Sequence, residues 1–495
     1  MRTGAFVLAA WLATSCALAP RPLATQPNVI VFLVDDLGWQ DLSEPFHVVR
    51  SAWNDRYRTP NVERLCRQGM KFSAAHAHPV CSPTRVSLMT GMAAARHKVT
   101  HWTLLANTPT DPERHALHRP EWHCNGLTND ASTPRATCAD TLPSRMAARG
   151  YHTILVGKAH FGAAATPGAD PLQLGFAENI AGHAAGAPSS YLAKQGFLRT
   201  DGDAIWQVPG LAQYHGSERF LSDVLTDEAL AAAERARVGG KPFFLYLSHY
   251  AVHTPLDADE RFVQRYRDQG LPEAEARYAA LVEGMDHSLG RVLDWLDAAQ
   301  LADDTIVLFT SDNGGLSASS RAGVRHTHNT PLRSGKGSIY EGGVRIPLAV
   351  RWPRRVAADT VSTQPVQVED IMPTLCELVG AEATVADGVS IAGTLLAGAP
   401  VPHALFFHHP HYWGSTGPGI EPCSAVIDGD LKLIWFYSSQ RAELYDLAHD
   451  LGETRDLAGT QPEAAARLRT LLRLQLARCA AQVPTSADGQ PLAGP

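Results

Sequence analysis

Apolar residues run without a break from Val29 to Val34 and then stop at Asp35-Asp36-Leu37-Gly38. A β-branched, uninterrupted run of this length predicts a strand buried on both faces. The same grammar, a hydrophobic stretch breaking into polar residues, returns in three places: Thr153 to Val156 before Gly157-Lys158, Phe243 to Leu247 before Ser248-His249 and His253, and Thr305 to Phe309 before Ser311-Asp312-Asn313. Between these stretches the period becomes helical. Leu221 to Val238 is Ala-rich, and from Ala274 to Leu301 the residues Tyr278, Leu281, Val282, Met285, Leu289, Val292 and Leu296 share one face. Alternation of this kind predicts an α/β fold, a doubly wound, mostly parallel sheet flanked by helices. Ligands of such sheets bind beyond the carboxyl ends of the strands, so all four polar clusters are expected on one rim.

Two stretches interrupt the rhythm. Trp102 to Thr141 is rich in Pro, His, Thr and Asn and carries Cys124 and Cys138, while Gly162 to Pro188 is dense in Gly and Ala. Insertions this long are usually functional or surface excursions, and the cysteine pair is expected to staple the first of them. After a helix at Pro373 to Val379, small residues from Ala381 to Pro402 predict a linker. The tail then predicts strands at Ala404 to His408, Ser424 to Ile427 and Leu431 to Tyr437, and a helix from Pro462 to Ala480 headed by Thr460 and Glu463 as a capping box. The expected organisation is a leader at 1–24, a catalytic domain at 25–385 and a smaller α+β domain with an antiparallel sheet at 386–495.

Composition narrows the class. Hydrophobic residues make up 45% and charged ones 19% of the 495 residues, which describes a globular chain with ample core. A formal charge of −7 argues against a general nucleic-acid surface, so any anionic substrate must meet a local basic pocket. Met1-Arg2, an apolar run from Ala5 to Thr14 and the small residues Ser15 to Ala19 form a secretory signal pattern too short to span a bilayer. Export to the periplasm or the medium is expected, with a lipoprotein attached through Cys16 as the rival. The cysteines outside the leader, apart from Cys81, form an even set without CxxC spacing, which suits an oxidising compartment rather than a zinc or iron–sulfur site.

The candidate chemistry centres on Cys81-Ser82-Pro83-Thr84-Arg85. Ser82 is expected to cap a helix with Pro83 at its first position, placing Cys81 where backbone N–H groups and the helix dipole favour an anion and lower a thiol's pKa. Asp35, Asp36, Asp312 and Asn313 offer only oxygen, a set suited to a hard cation: calcium first, magnesium second. Three carboxylates around one divalent ion leave surplus negative charge. Lys158, Lys336 and Arg85 are the cations available to offset it, with His160 and His253 able to protonate. Each of these alone reads as an ordinary turn, cap or solvated loop; their joint placement after the rim strands favours function.

The CxPxR run and the ordered blocks Asp35-Asp36, Gly157-Lys158-Ala159-His160, His253-Thr254-Pro255, Ser311-Asp312-Asn313-Gly314 and Gly335-Lys336-Gly337 resemble the type I sulfatases of the alkaline phosphatase-like superfamily, from about Asn28 to the C-terminus. The resemblance implies that a maturation enzyme converts Cys81 to formylglycine (3-oxoalanine), whose hydrate joins Asp35, Asp36, Asp312 and Asn313 on the metal. One hydroxyl attacks sulfur near Arg85 and His160, the leaving alcohol takes a proton from His253 with Lys336 nearby, and the second hydroxyl expels sulfate with His160 as base. Lys158 would contact both sulfate and aldehyde. Ala159 and Phe161 depart from the Trp and Leu of many relatives, which touches pocket shape only. The expected activity is hydrolysis of sulfate esters. An aryl sulfatase or a phosphate or phosphonate ester hydrolase of the same superfamily is the enzymatic alternative, and a noncatalytic sulfated-glycan-binding surface protein the other. The substrate is expected to be the exposed end of a sulfated polysaccharide of galactose or N-acetylgalactosamine type, as in bacterial polysaccharide breakdown. Trp102, Arg325, His326 and His328 are the candidate contacts, with His183, His411, Tyr412 and Trp413 also within reach of the rim.

Overall fold

A computed structural model describes residues 26–112, 117–316, 329–383, 387–414 and 417–495. The leader with Cys16, and the candidate contacts Arg325, His326 and His328, lie outside these residues. The main sheet orders its strands Thr360–Ser362, Met70–His76, Arg345–Arg351, Thr305–Ser311, Asn28–Val34, Phe243–Ser248, His152–Gly157 and Glu178–Ile180, with Val366–Gln367 also paired to Met70–His76. Arg345–Arg351 runs antiparallel to both of its neighbours, and every other pairing in the sheet is parallel. Asn28–Val34 sits near the middle. Its Ile30, Phe32 and Val34 pack beneath the helices Leu221–Val238 and Glu273–Ala298, while Val29, Val31 and Leu33 face Cys81–Thr90, Leu142–Ala148 and Ile371–Val379. All six of those strand side chains are wholly buried. That explains the uninterrupted apolar run: a strand covered by helices on both faces has no solvent side to mark with polar residues.

The parallel pairings put the ends of Asn28–Val34, His152–Gly157, Phe243–Ser248 and Thr305–Ser311 on one rim. Met70–His76 also ends there and leads to the helix Cys81–Thr90. The reversed strand starts at the same rim and is reached through the segment holding Lys336. Its pairing with Met70–His76 shifts register between Ile346 and Leu348, on either side of Pro347, which has no N–H to give the ladder.

A second sheet orders Leu405–His409, Cys423–Asp428, Leu431–Phe436 and Arg441–Asp446, all antiparallel. The helix Pro462–Arg478 covers one face, where Val426, Leu433 and Trp435 meet Leu468, Leu472 and Leu476. The other face lies on Ile339, Tyr340 and Val344 of the main domain. A buried charge network crosses this seam. Lys432 Nζ lies 2.8 Å from both Glu341 Oε1 and Glu453 Oε1, the Glu341 N–H donates to Glu453 Oε2 at 2.7 Å, and Arg345 and His76 close on Glu341 Oε2 at 2.6 and 3.0 Å. No described helix is long and apolar enough to cross a membrane.

Three local expectations fail. Gln461, not Thr460, occupies the N-cap of Pro462–Arg478, no side chain caps it, and the Thr460 hydroxyl turns back to Leu457 O. The predicted linker contains a helix, Ala392–Ala397, whose Ala392 and Leu395 are buried. The expected Cys124–Cys138 bridge is absent, both thiols being free. Gly126–Thr128 pairs in parallel with Ala136–Cys138, matching Thr128 to Cys138. Cys124 therefore lies at the opposite end of the pair, about 13 Å along the strand direction at ~3.3 Å per residue, beyond the reach of a disulfide. A maleimide should label both thiols in unreduced, denatured protein, and reductant should leave Tm unchanged; a peptide joining the two would contradict the fold of this insertion.

Candidate active site

Asp35 and Asp36 end the central strand. Asp36 adopts φ +60°, the left-handed region that Asp tolerates, and this turns its N–H onto Asp312 Oδ1 at 3.1 Å. Asp312 and Asn313 follow the neighbouring strand, and Asn313 Nδ2 donates to Asp36 Oδ1 at 2.8 Å. Two strand ends thus present four oxygen-bearing side chains, all fully buried. Ligand atoms of Asp35, Cys81 and Asp312 lie within 4.8 Å of one another.

Buried cations surround this centre. Lys158 Nζ sits 2.7 Å from Asp35 Oδ2 and 3.7 Å from Asp312 Oδ2, and Lys336 Nζ lies 2.5 Å from Asp36 Oδ1. Arg85, one turn into the Cys81–Thr90 helix, donates through Nε to Asp312 Oδ2 at 2.9 Å and through Nη1 to Lys158 O at 2.9 Å and Ser248 Oγ at 2.7 Å. That spacing fixes the helix against three strand ends at once. Burial, then Asp312, push the Asp35 carboxyl well above its ordinary range despite Lys158. Burial also opposes the charge on Asp312, but Arg85 and Lys158 outweigh it and hold that carboxyl low. Asp35 Oδ1 and Asn313 Oδ1 are buried with no hydrogen-bond partner. Orphaned oxygens beside a high-pKa carboxylate fit a divalent hard cation, for which Asp35, Asp36, Asp312 and Asn313 are the donors at hand.

Cys81 is 4% exposed and begins its helix, though with Val80 rather than Ser82 as N-cap. Ser82 Oγ instead accepts from Thr103 N at 3.2 Å. The expected lowering of the thiol's pKa is reversed: burial raises it, outweighing Lys158 and Lys336. His160, at φ +56°, gives Nε2–H to Thr103 O at 2.8 Å, leaving Nδ1 buried and unpartnered. Burial, then Lys158 and Arg85, keep this ring neutral, its pKa well below the usual value. Gly186 packs on it so closely that a Cβ there would lie 2.2 Å from His160 Cε1. His253 donates from Nδ1 to Thr254 O at 2.8 Å, which aims Nε2 at Asp36 Oδ2, 3.6 Å away.

These groups form the floor of a cavity of about 480 Å³. Its walls include Trp102, Trp206 and Trp413, with Arg199, Asp203, Pro188 and Pro255 toward the mouth. Trp413 comes from the small domain and lies 5.7 Å from Lys336 Nζ, and only a glycine at 337 (φ +86°) tolerates it, since a Cβ would sit 1.8 Å from its ring. The structure therefore brings together Cys81, Arg85, Lys158, His160, His253, Lys336 and the four oxygen donors, with Trp102 and Trp413 in the walls. His411 is not at the rim; it is buried between Asp111 Oδ2 at 2.9 Å and Thr100 Oγ1 at 2.7 Å. His183 packs against Tyr250 behind the cavity, and Tyr412 against the small domain's core. Sequence reasoning missed Arg199, Asp203 and Trp206. A tryptophan in a Gly- and Ser-rich stretch without strand or helix period was the available signal.

A family model described as Sulfatase matches residues 27–381, most of the chain. The chain belongs to the sulfatase family. A second family model, N-sulphoglucosamine sulphohydrolase, C-terminal, matches residues 335–482. A relative named Sulfatase from Formosa agariphila is 30% identical, covering 88% of this chain and 85% of its own. N-acetylgalactosamine-6-sulfatase of Mus musculus is 29% identical over 79% of this chain and 69% of its own. Among solved structures, Ps i-CgsB in complex with k-i-k-neocarrahexaose superposes with TM-score 0.73 at 24% identity, covering 91% of this chain and 93% of that one, a likeness of fold. The sulfatase is thus a sulfuric ester hydrolase, and its mostly parallel sheet with an antiparallel C-terminal domain is the family's architecture.

Proposed function

We propose that this sulfatase removes sulfate from a sulfated carbohydrate of galactose or N-acetylgalactosamine type, acting at an exposed chain end. The observation that carries the reading is the buried constellation of Cys81, Lys158, His160, His253 and Lys336 around four oxygen donors, at the floor of a cavity walled by three tryptophans. Aromatic faces suit the apolar faces of sugar rings. The carbohydrate assignment is supported by the named relatives acting on N-acetylgalactosamine and the fold neighbour solved with neocarrahexaose.

Cys81 is proposed to be matured to formylglycine, with calcium as the cation. When bound, the cation would screen the carboxylates and polarise a sulfate oxygen. The chain's own residues do the rest. Lys158 and Lys336 offset the charge of the transferring sulfuryl group, and Arg85 holds Asp312 and the rim strands in place. The hydrated side chain of residue 81 attacks sulfur as the sulfur–alcohol bond breaks, and His253 Nε2 gives the departing oxygen its proton. Neutral His160, committed through Nε2 to Thr103, offers Nδ1 as acceptor when the remaining hydroxyl of residue 81 loses its proton and sulfate departs. The leader and the sulfated-polymer reading together support export to the periplasm or medium, and a formylglycine-generating enzyme as an obligatory partner.

Chelation should abolish turnover, and calcium should restore it better than magnesium or zinc; two zinc ions per active chain by metal analysis would refute the single-calcium site. A panel of sulfated mono- and oligosaccharides beside aryl sulfate and aryl phosphate tests the substrate. Turnover of the aryl sulfate with none on any sugar would defeat the carbohydrate reading, and preference for the phosphate would move the enzyme to the phosphoesterase branch.

A further inference from the structure

We propose that the catalytic cavity opens into a second binding site that takes the next, anionic sugar unit of an oligosaccharide substrate. This rests on the carbohydrate reading above. The catalytic cavity ends at Arg199, Thr254 and Pro255, and the same three residues begin a second cavity of about 620 Å³ whose far wall carries Arg277. Each cavity falls within the ~300–1,000 Å³ of sites that hold a compact organic ligand. The partition between them is Thr254-Pro255, directly after His253, so a ligand in the second cavity is continuous with a group leaving from the first.

The chemistry of the second cavity favours a sugar with a negative charge. Arg199 is half exposed, and its one ion pair among the described residues is a loose 3.9 Å contact to Asp257 Oδ1. Asp257 is already engaged by Ser190 Oγ at 3.0 Å and Tyr191 N at 2.9 Å. At the other end, Glu273 is shared between Arg277 at 2.6 Å and Arg267 at 2.8 Å, so one carboxylate faces two guanidinium groups. The wall thus carries a local excess of positive charge on a chain of net charge −7. Guanidinium is the side chain whose planar fork matches sulfate and carboxylate. Pro255, Leu256 and Pro272 supply the apolar surface a ring would lie against. Nothing in the catalytic step needs either arginine, and together they span the length of the second cavity.

The test is kcat/KM along a ladder of mono-, di- and tetrasaccharides bearing the scissile sulfate on the same terminal unit, with the second unit either anionic or neutral. For the native enzyme the anionic disaccharide should exceed the monosaccharide by about tenfold, most of it in KM. In Arg199→Ala/Arg277→Ala that ratio should fall to within about twofold, and Arg199→Lys/Arg277→Lys should recover part of it, with Tm confirming folded protein throughout. A flat ladder in the native enzyme, or a gain that survives in the double variant, would overturn the second site. An equal gain on the neutral series would overturn its anionic character. Turnover of aryl sulfate with none on any sulfated saccharide would remove the carbohydrate reading and this site with it, a result separate from a flat ladder on active sugars.

Discussion

Cys81→Ala is expected to leave a folded protein whose kcat is lower by a factor of about 10⁴ or more, the scale seen when a covalent nucleophile is removed. The substitution keeps Cβ at the start of the Cys81–Thr90 helix and deletes one buried sulfur, so the cost in stability should stay near 1 kcal/mol. Arg85, Lys158, Lys336 and the oxygen donors would remain in place, because their contacts run to one another and not through the thiol. Turnover of a sulfate ester beside a thermal melt checks both halves. Mass spectrometry of the native peptide across residue 81 checks the third: it should be lighter by the difference between a thiomethyl group and an aldehyde. Full activity in Cys81→Ala, or an active native enzyme with an intact thiol, would end the assignment of residue 81 as the matured nucleophile.

The largest effect on stability is expected at Lys432. Lys432→Met keeps most of the stem but leaves Glu341 and Glu453 buried at the seam without the ammonium they share. Breaking a buried charge cluster by removing one partner costs about 3–5 kcal/mol. The loss should depend on pH with a definite sign. Burial, opposed by Lys432 and reinforced by Glu341, pushes the Glu453 carboxyl up to about 7 from an ordinary 4.5. A carboxyl raised in the folded state contributes stability that is fully present below about 4.5 and lost as pH climbs through about 7. Without Lys432 the carboxyl rises further, so the Tm gap between variant and native protein should widen from pH 5 to pH 8. Lys432→Met/Glu453→Gln should narrow it; a gap that is constant with pH would mean that the cost is one of packing alone.

How much of this was legible in the chain follows from what each residue faces. The central strand announced itself because Val29 to Val34 have helices on both sides and no reason for polarity. The strand Arg345–Arg351 did not: it carries arginines at both ends and Pro347 inside, and its place in the sheet is secured by pairing to two neighbours rather than by its own pattern. Met70–His76 is half-covered and reads as a mixed segment for the same reason. The catalytic floor could be read because its polar residues break hydrophobic runs, and a break in a pattern is visible. Arg199, Asp203 and Trp206 break nothing; they lie where the chain has no period to violate, and only the three-dimensional course of 186–206 carries them over the rim. His411 failed in the opposite sense, a polar residue beside aromatics that folding spends on Asp111 and Thr100 inside the molecule.

The burial of Cys81 sets an order of events in time. Its side chain is 4% exposed at the bottom of a cleft whose walls come from segments as far apart in the chain as Trp102 and Trp413. A modifying enzyme needs an extended strand of substrate to grip, and the closed molecule offers none around residue 81, where Val80 to Thr90 are all buried. The conversion proposed for Cys81 therefore belongs to the interval before the small domain docks. Folding and maturation compete for the same cysteine, and a chain that folds first is trapped with its thiol intact. A host that makes this protein faster than it can modify it would accumulate molecules alike in shape and stability, of which only the fraction modified in time can work.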